Sequence, residues 1–188
     1  MHIALFGGSF DPPHSSHVKI AHEVLKDLPE MDEVWFVPDN LHHWKPLVAP
    51  AQDRLAMVRL LEDGNIKASD IAIQRGGKTY TIAVVRQLQD TTHNTYVWVC
   101  GADQLMDFRR WHDFAELEER IRFIIYPRIG YTIPDILPKN FQLMTPNDFI
   151  ATDDSSTEIR ERVKQGLPIK HLVPERVEEY ILKKGLYK

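Results

Sequence analysis

Short apolar runs alternate with amphipathic stretches along this chain, and that alternation constrains its fold more than any other feature. Several of the runs are apolar on both faces, as are strands covered by helices on both sides of a sheet. Strands that alternate with helices are joined by right-handed crossovers into a parallel sheet. The sequence therefore predicts the α/β class, as a doubly wound parallel sheet. The predicted strands are Ile3–Phe6, Val34–Val37, Ile71–Ile73, Tyr96–Cys100 and Phe123–Tyr126, with one further strand inside a long loop over 128–146.

Helices are predicted between and after these strands. Three internal stretches place apolar residues three or four positions apart, which gives a helix one apolar face. Further along, Ser155 and Glu158 have the spacing of a capping box, so a helix is expected to begin there. A last helix is predicted between Pro174 and Gly185, because proline favours the first turn and glycine the position after the last. The internal apolar faces are formed by Val18, Ala21, Leu25 and Leu28, by Leu55, Val58 and Leu61, and by Ile82, Val85 and Leu88.

Length and composition indicate a globular protein of one domain. The 188 residues are 43% hydrophobic and 27% charged, which argues against disorder. A net charge of −4 gives no reason to expect a nucleic-acid partner or an anionic membrane partner. Cys100 is the single cysteine, so no internal disulfide can form, and no apolar run has the length of a signal-peptide core or a membrane helix. We therefore expect one domain, 1–188, in the cytoplasm.

The loop that follows the first predicted strand is suited to hold an anion. Gly7 and Gly8 let the backbone approach a ligand closely or adopt a positive φ. Ligands bind at the carboxyl ends of strands in open α/β sheets, and the next helix directs free N–H groups to that point. His14 and His17 lie one turn apart at the start of this helix. They can donate hydrogen bonds to a phosphate or, when protonated, neutralise its charge.

Three other interpretations of this loop stay open on the residues alone. A Gly-Gly pair after a strand is often only a turn. His14 and His17 could form a solvated or buried pair, or they could be two ligands of a metal ion. A zinc site would need a third ligand, and no Glu or Cys nearby has a recognised spacing.

Two segments resemble the signatures of the nucleotidyltransferase superfamily. The run from Gly7 to His17 resembles the HxGH signature, and the run from Ser155 to Arg160 resembles the SSTxIR signature. Further segments resemble the nicotinate/nicotinamide mononucleotide adenylyltransferases, and their pattern is most similar to the bacterial nicotinate enzymes. The resemblance implies a Rossmann-like nucleotidyltransferase fold whose C-terminal helical part, 153–188, completes an ATP site. These segments are Phe36-Val37-Pro38 with Lys45-Pro46, Asp53 to Met57, Gly77 to Thr81, Gly101 to Leu105 with Trp111, Arg128 to Tyr131, and Val173 to Tyr187.

The resemblance implies a transferase of NAD biosynthesis. The phosphate of nicotinate or nicotinamide mononucleotide would attack the α-phosphorus of ATP, giving the dinucleotide and pyrophosphate without a protein nucleophile. ATP and a pyridine mononucleotide are thus the implied partners, with Mg2+ carried on ATP, no tightly bound cofactor and no dedicated metal site. A homodimer is expected only on the general ground that closed homo-oligomers are common.

The same resemblance implies roles for individual site residues. His14, His17 and Arg160 are implied to be catalytic, with the two histidines on the α- and β-phosphates and the guanidinium on the β- and γ-phosphates. The implied ATP site consists of Gly7, Gly8, Ser9, Phe10, Gly101, Asp103, Ser155, Ser156 and Thr157. The implied pyridine-mononucleotide site consists of Lys45, Thr81, Trp111 and Arg128.

Ordinary structural roles are the alternative for several of these residues. Asp103 could cap a second helix, and Trp111 could be a core residue. Lys45 and Arg128 could be surface charges. Without the resemblance, the segment that begins at Ser155 would be interpreted as an ordinary helix cap followed by a solvent-facing arginine.

Four positions depart from the family pattern. Ser16 replaces a glycine, and its hydroxymethyl group is expected to crowd the nucleotide. Asp154 replaces an isoleucine and is expected to place a carboxylate near the triphosphate, while Trp44 replaces a histidine and His112 a tyrosine. Two alternatives are therefore another nucleotidyltransferase on the same scaffold and a nucleotide-binding module without turnover. A dehydrogenase is excluded, because no GxGxxG follows the first strand.

Overall fold

A computed structural model of the protein describes residues 1–144 and 155–188, and six parallel strands within them form one sheet. The strands are β1 (His2–Gly8), β2 (Glu33–Pro38), β3 (Ile66–Ala68), β4 (Thr95–Gly101), β5 (Arg122–Tyr126) and β6 (Phe141–Leu143). Across the sheet their order is β3-β2-β1-β4-β5-β6, and every neighbouring pair is parallel. The direction of strand addition therefore reverses between β1 and β4, which opens a crevice at their carboxyl ends.

Helices cover both faces of the sheet. Residues of α1, α2, α6 and α7 enter the apolar core on one face, and residues of α3, α4 and α5 enter the core on the other. The fold is thus the doubly wound α/β sheet that the sequence predicts. The helices are α1 (Ser15–Asp27), α2 (Ala51–Arg59), α3 (Ile71–Arg75), α4 (Thr81–Thr91), α5 (Phe114–Arg120), α6 (Ser156–Lys164) and α7 (Glu175–Lys184), with short 3-10 turns at Ala102–Gln104 and Phe108–Arg110.

The central strand β1 shows why the apolar runs of the sequence are continuous. Ala4 and Phe6 pack into one core, while Ile3 and Leu5 pack into the other. Successive side chains of a strand point to opposite faces, so a strand buried on both sides needs apolar residues at every position. The burial of these residues, each at most 2% exposed, confirms the prediction that helices cover both faces.

One predicted strand is wrong. Ile71–Ile73 begins the short helix α3, and the strand on this side is Ile66–Ala68, which pairs with Val34–Phe36 of β2. A run of three residues is too short for its periodicity to distinguish a strand from a helix. A helix begins after Ser69 and Asp70, because the carbonyl of Asp70 accepts the first helical hydrogen bond, from the backbone N–H of Gln74.

The ends of the C-terminal helices agree with the predicted signals. The Ser155 hydroxyl caps α6 by accepting a hydrogen bond from the Glu158 backbone N–H at 3.1 Å. Pro174 is the residue before α7, and Gly185 follows that helix with a φ of 63°. A left-handed φ of this kind favours glycine, which has no Cβ. The further strand expected within 128–146 is β6.

A buried arginine joins the loops that surround the crevice. Arg54, in the second turn of α2, is fully buried. Its Nη1 donates to the carbonyl of Ser9 at 2.8 Å, its Nη2 to the carbonyl of Asn40 at 2.8 Å, and its Nε to the carbonyl of Ala49 at 3.1 Å. A buried guanidinium is tolerated only when its N–H groups find acceptors, and these three carbonyls supply them.

Replacing this arginine should cost much more stability than replacing an exposed neighbour. Arg54→Met leaves buried carbonyls without donors, so we expect it to lower the free energy of unfolding by about 3 kcal/mol. The matched control is Arg59→Met in the same helix, where an exposed ion pair with Asp70 is lost. That loss should be about 0.5 kcal/mol. Urea unfolding of both variants measures the difference, and equal losses would contradict this account of Arg54.

Candidate active site

A cleft of about 300 Å3 lies at the carboxyl ends of β1 and β4, where the strand order reverses. Loops after β1, β2, β4 and β5 form its walls, and the start of α6 closes one side. The structure brings every predicted site residue to this one cleft. They are Gly7, Gly8, Ser9, Phe10, His14, His17, Lys45, Thr81, Gly101, Asp103, Trp111, Arg128, Ser155, Ser156, Thr157 and Arg160.

His14 and His17 form a close pair at the start of α1. Their ring centroids are 3.8 Å apart, and the backbone N–H of His14 donates to Nδ1 of His17 at 3.1 Å. Because Nδ1 accepts this bond, the neutral ring of His17 carries its proton on Nε2. Burial first, and then electrostatic repulsion from His14 and Arg128, hold the pKa of His17 well below its ordinary value. His17 is therefore a neutral hydrogen-bond donor, and the predicted role of a charged imidazolium does not apply to it.

The start of α6 is fastened to the loop after β1. The Ser156 hydroxyl donates to the carbonyl of Pro12 at 2.8 Å. Arg160 donates from Nη1 to the carbonyl of Asp11 at 2.7 Å and from Nη2 to the Thr157 hydroxyl at 3.1 Å. These bonds hold a guanidinium and a helix N-terminus beside the histidine pair, and both features attract the oxygens of a polyphosphate.

An ion pair lies at the carboxyl end of β4. Arg128 Nη1 is 3.2 Å from the Asp103 carboxylate, which also accepts a bond from the Gln104 amide at 2.7 Å. A Cβ on Gly101 would lie 2.2 Å from the Asp103 carboxylate oxygen, so a larger residue there would displace this carboxylate. Asp103 does not cap the turn that follows β4, because Gly101 is the cap residue there. The alternative role of Asp103 as a helix cap is therefore wrong.

Aromatic side chains line one part of the cleft. Trp111 packs against Phe108 and Phe123, with ring centroids 4.8 and 6.2 Å apart, and still lines the cleft. The guanidinium of Arg110 lies 5.5 Å from the ring centroid of Trp44, which joins the loops on the two sides. Trp111 is thus half-buried against the apolar core and lines the cleft as well, while its binding of a pyridine ring stays a prediction.

Thr81, the first residue of α4, also lines the cleft, and the ring of the preceding Tyr80 packs on His112, which follows Trp111. The backbone N–H groups of a first helical turn have no partner within the helix, and the helix dipole places positive charge there. The cleft therefore combines cationic groups near α1 and α6 with a second helix N-terminus near the aromatic side chains.

Comparisons with known proteins agree with this geometry. The cytidylyltransferase-like family model matches residues 5–162. A probable nicotinate-nucleotide adenylyltransferase of Salinibacter ruber is 36% identical, over 100% of this chain and 98% of that protein. Proteins of the same description from Geobacillus kaustophilus (37% identical, 98% of this chain and 85% of the relative) and Bordetella avium (36%, 99% and 98%) are also similar. The chain belongs to the nicotinate-nucleotide adenylyltransferases.

Solved structures share the fold of this adenylyltransferase. A nicotinic acid mononucleotide adenylyltransferase of Plasmodium falciparum, complexed with NaAD, aligns with a TM-score of 0.82 and 22% identity. The alignment covers 99% of this chain and 97% of that one. A putative nicotinate-nucleotide adenylyltransferase from Vibrio parahaemolyticus aligns with a TM-score of 0.69 and 22% identity, over 99% of this chain and 94% of that one. These likenesses confirm the predicted Rossmann-like fold.

The two glycines at the end of β1 do not provide the positive φ that the sequence suggested as one possibility. Gly7 and Gly8 have no positive φ, and the left-handed residue of this loop is Phe10, at 48°. A Cβ on Gly7 would lie 2.1 Å from Cζ2 of Trp98, so its absence makes room for that ring. Gly7 is therefore explained by a close approach to the backbone, and the group that approaches is the Trp98 side chain of the protein itself.

Ser16 is placed differently from what the family comparison suggested. Its side chain is 3% exposed inside α1, and Ser16 is absent from the described residues that line the cleft. The predicted crowding of a nucleotide by its hydroxymethyl group stays a prediction, and the burial of Ser16 argues against it. Trp44 does line the cleft, and the His112 ring packs on Tyr80 with centroids 4.6 Å apart. Asp154, the fourth departure, lies outside the described residues.

Asp11 is a functional residue that the sequence analysis missed. Its carboxylate is buried and accepts hydrogen bonds from the backbone of Val48 at 2.6 Å, from the backbone of Ala49 at 3.0 Å and from the Tyr187 hydroxyl at 2.9 Å. The loop that carries Lys45 is thereby fastened to the loop after β1. The signal in the sequence was a single acidic residue between Phe10 and two prolines, which has no distinctive spacing.

Asp39 was also missed, and it lies on the cleft wall directly after β2. Its backbone N–H donates to the carbonyl of Gly8 at 2.9 Å. Burial raises the pKa of its carboxyl group to about 6, although Arg54, Lys45 and a hydrogen bond with Ser9 all favour the charged form. The cleft thus gains a negative charge as the pH rises through about 6.

None of the helices in the described part of the chain is long and apolar enough to cross a membrane. Within residues 1–144 and 155–188, His, Cys, Asp and Glu side chains form no group of three or more that could hold a metal ion. Two of the carboxylates that line the cleft, Asp11 and Asp103, are engaged by protein donors.

Asp39 should leave a signature in the pH dependence of stability. Its folded-state pKa of about 6 lies above the ordinary 3.8, so its protonated form stabilises the fold at low pH. That contribution is lost as the pH rises from about 4 through about 6. Asp39→Asn cannot ionise, so it should gain on the order of 2 kcal/mol relative to wild type between pH 4.5 and pH 7.5.

Urea unfolding of both proteins across that pH range measures this difference. Histidines with lowered pKa values contribute in the opposite sense, among them His17 and His42, whose pKa burial lowers to about 4. These histidines are present in both proteins, so their contributions cancel in the difference. A stability difference between Asp39→Asn and wild type that stays constant over the range would contradict the raised pKa of Asp39.

Proposed function

We propose that this chain transfers the adenylyl group of ATP to nicotinate mononucleotide, forming the dinucleotide precursor of NAD and releasing pyrophosphate. The observation that carries the proposal is that α6 brings Arg160 into the same cleft as the histidine pair of α1. Two segments far apart in the sequence thereby present cationic and hydrogen-bonding groups to one polyphosphate. The aromatic part of the same cleft accepts the pyridine ring.

The reaction that we propose is a direct displacement at phosphorus. A phosphate oxygen of the mononucleotide forms a bond to the α-phosphorus of ATP, and the bond from that phosphorus to the bridging oxygen of the β-phosphate breaks. Pyrophosphate leaves with the electron pair of that bond. His17 donates its Nε2 proton as a hydrogen bond to an oxygen of the α-phosphate, His14 contacts the adjacent phosphates, and Arg160 spans the β- and γ-phosphates. Catalysis is then positioning and charge stabilisation.

Mg2+ enters with ATP in this proposal. Mg2+ prefers oxygen ligands and is often held by substrate phosphates with few protein carboxylates. The engagement of Asp11 and Asp103 by protein donors supports a metal that travels on the triphosphate. No tightly bound cofactor is proposed.

The nicotinate form is the substrate that we propose, because α4 begins at the aromatic part of the cleft. A carboxylate on the pyridine ring is stabilised by the free N–H groups and the dipole of a helix N-terminus, whereas a neutral amide gains less. Thr81 lies at that terminus, Trp111 offers its ring as a stacking surface, and Lys45 and Arg128 supply cations for the mononucleotide phosphate.

We further propose that 1–188 acts as one domain, in which 153–188 completes the ATP site. The contacts of Ser156 and Arg160 with the loop after β1 support this. A cytoplasmic location is proposed from the single cysteine, which fits a reducing compartment. A homodimer stays a prediction on general grounds.

Removing the His17 imidazole should slow the reaction sharply. Loss of one preorganised donor to a charged phosphoryl oxygen typically lowers kcat about a hundredfold or more. The measurement is pyrophosphate release with ATP, Mg2+ and nicotinate mononucleotide for His17→Ala. The matched control is His22→Ala in the same helix, whose side chain is 51% exposed and lies 3.9 Å from Asp63. A His17→Ala rate within about twofold of the control would contradict the role of His17.

Substrate preference gives a separate prediction. With the helix terminus at Thr81 facing the ring substituent, kcat/KM for nicotinate mononucleotide should exceed that for nicotinamide mononucleotide by at least about tenfold. Parallel assays of pyrophosphate release with the two substrates measure this ratio. Equal values would sink the assignment of the α4 terminus to the carboxylate while leaving adenylyl transfer itself intact.

A further inference from the structure

The side chain of Tyr187, next to the last residue of the sequence, is inserted into the fold. Tyr187 is 8% exposed and belongs to the same apolar core as Val177 and Ile181 of α7. Its backbone has a φ of 65°, a left-handed conformation that bulky residues rarely adopt. A bulky residue keeps such a strained and buried conformation only when specific contacts hold it there.

That contact is with the buried carboxylate of Asp11. The Tyr187 hydroxyl donates to Oδ1 of Asp11 at 2.9 Å. Burial and the Asp11 carboxylate raise the pKa of Tyr187, while Arg160 and Arg54 oppose this rise. The hydroxyl therefore keeps its proton, and it stays a donor, throughout the physiological pH range.

Asp11 also accepts hydrogen bonds from the Lys45 loop and from α6. Its carboxylate also accepts the backbone N–H groups of Val48 and Ala49, which end the loop that carries Lys45. Its carbonyl accepts the guanidinium of Arg160. A carboxylate can rotate about its side-chain bonds. The Tyr187 hydroxyl, as a third donor, holds the Asp11 carboxylate in the orientation that accepts the N–H groups of Val48 and Ala49.

We propose that Tyr187 is a positioning residue, whose hydroxyl fixes Asp11 and thereby holds the Lys45 loop in place to receive the mononucleotide. The part that concerns mononucleotide binding rests on the proposed function. The part that concerns the Lys45 loop rests only on the contacts described above. Tyr187 does not touch the reacting atoms, so it acts on substrate affinity through Asp11 and leaves the displacement step unchanged.

Amide hydrogen exchange tests the structural part without any substrate. In Tyr187→Phe the ring still fills the core but the hydroxyl is gone, so protection of the Val48 and Ala49 amides should fall about tenfold. The matched control is Tyr180→Phe in α7, which also removes a tyrosine–aspartate hydrogen bond, to Asp53 at 2.7 Å, away from the cleft-lining residues. Protection of the two amides should not change in the control. Thermal unfolding of each variant verifies that it is folded at the temperature used.

Steady-state kinetics test the functional part. Tyr187→Phe should raise KM for nicotinate mononucleotide about fivefold to tenfold and change kcat less than about twofold, whereas Tyr180→Phe should change neither. Unchanged exchange at Val48 and Ala49, a normal KM despite faster exchange, or equal effects in the two variants would each overturn the proposal. If the wild-type protein releases no pyrophosphate, the proposed function fails, and the exchange comparison alone still decides whether Tyr187 holds the loop.

Discussion

The buried pair of Arg54 and Asp11 is the constraint on which the site depends. Arg54 donates to carbonyls of the loops after β1 and β2, while Asp11 accepts the backbone N–H groups at the end of the second loop. Burial lowers the pKa of Arg54, and the charges of Asp11 and Asp39 counteract that loss. Loops carry unpaired polar backbone groups, and this opposite-charge pair satisfies several of them inside the protein. The cleft is therefore preorganised by its own loops.

Preorganisation of this kind suits a reaction that needs no protein nucleophile. Phosphoryl and nucleotidyl transfer depend on holding two anions in line and on stabilising charge as the pyrophosphate leaves. The reversal of strand order between β1 and β4 creates the crevice, α1 and α4 direct their N-termini to it, and α6 brings Arg160. In the proposed reaction a neutral His17 would donate a hydrogen bond rather than supply a charge, so we expect its role to vary little near neutral pH.

The sequence predicts the sheet class because it follows from local patterns, whereas the cleft-lining residues were predicted from the resemblance of several segments to a known family. A strand buried on both faces is apolar throughout, and the two signature segments carry their own spacing. The strand Ile66–Ala68 was missed because three residues show no period. Asp11, Asp39 and Arg54 were missed for another reason. Each has a partner in another loop far along the chain, such as Val48 for Asp11 and Ser9 for Arg54, which no local pattern encodes.

The most direct test of adenylyl transfer uses nicotinate mononucleotide labelled with 18O in its phosphate group. Incubation with ATP, Mg2+ and this chain, followed by mass spectrometry, locates the label. Attack of the mononucleotide on the α-phosphorus predicts a labelled dinucleotide and unlabelled pyrophosphate in equal amounts. Absence of the dinucleotide, or label in the pyrophosphate, would contradict the proposed reaction at this cleft.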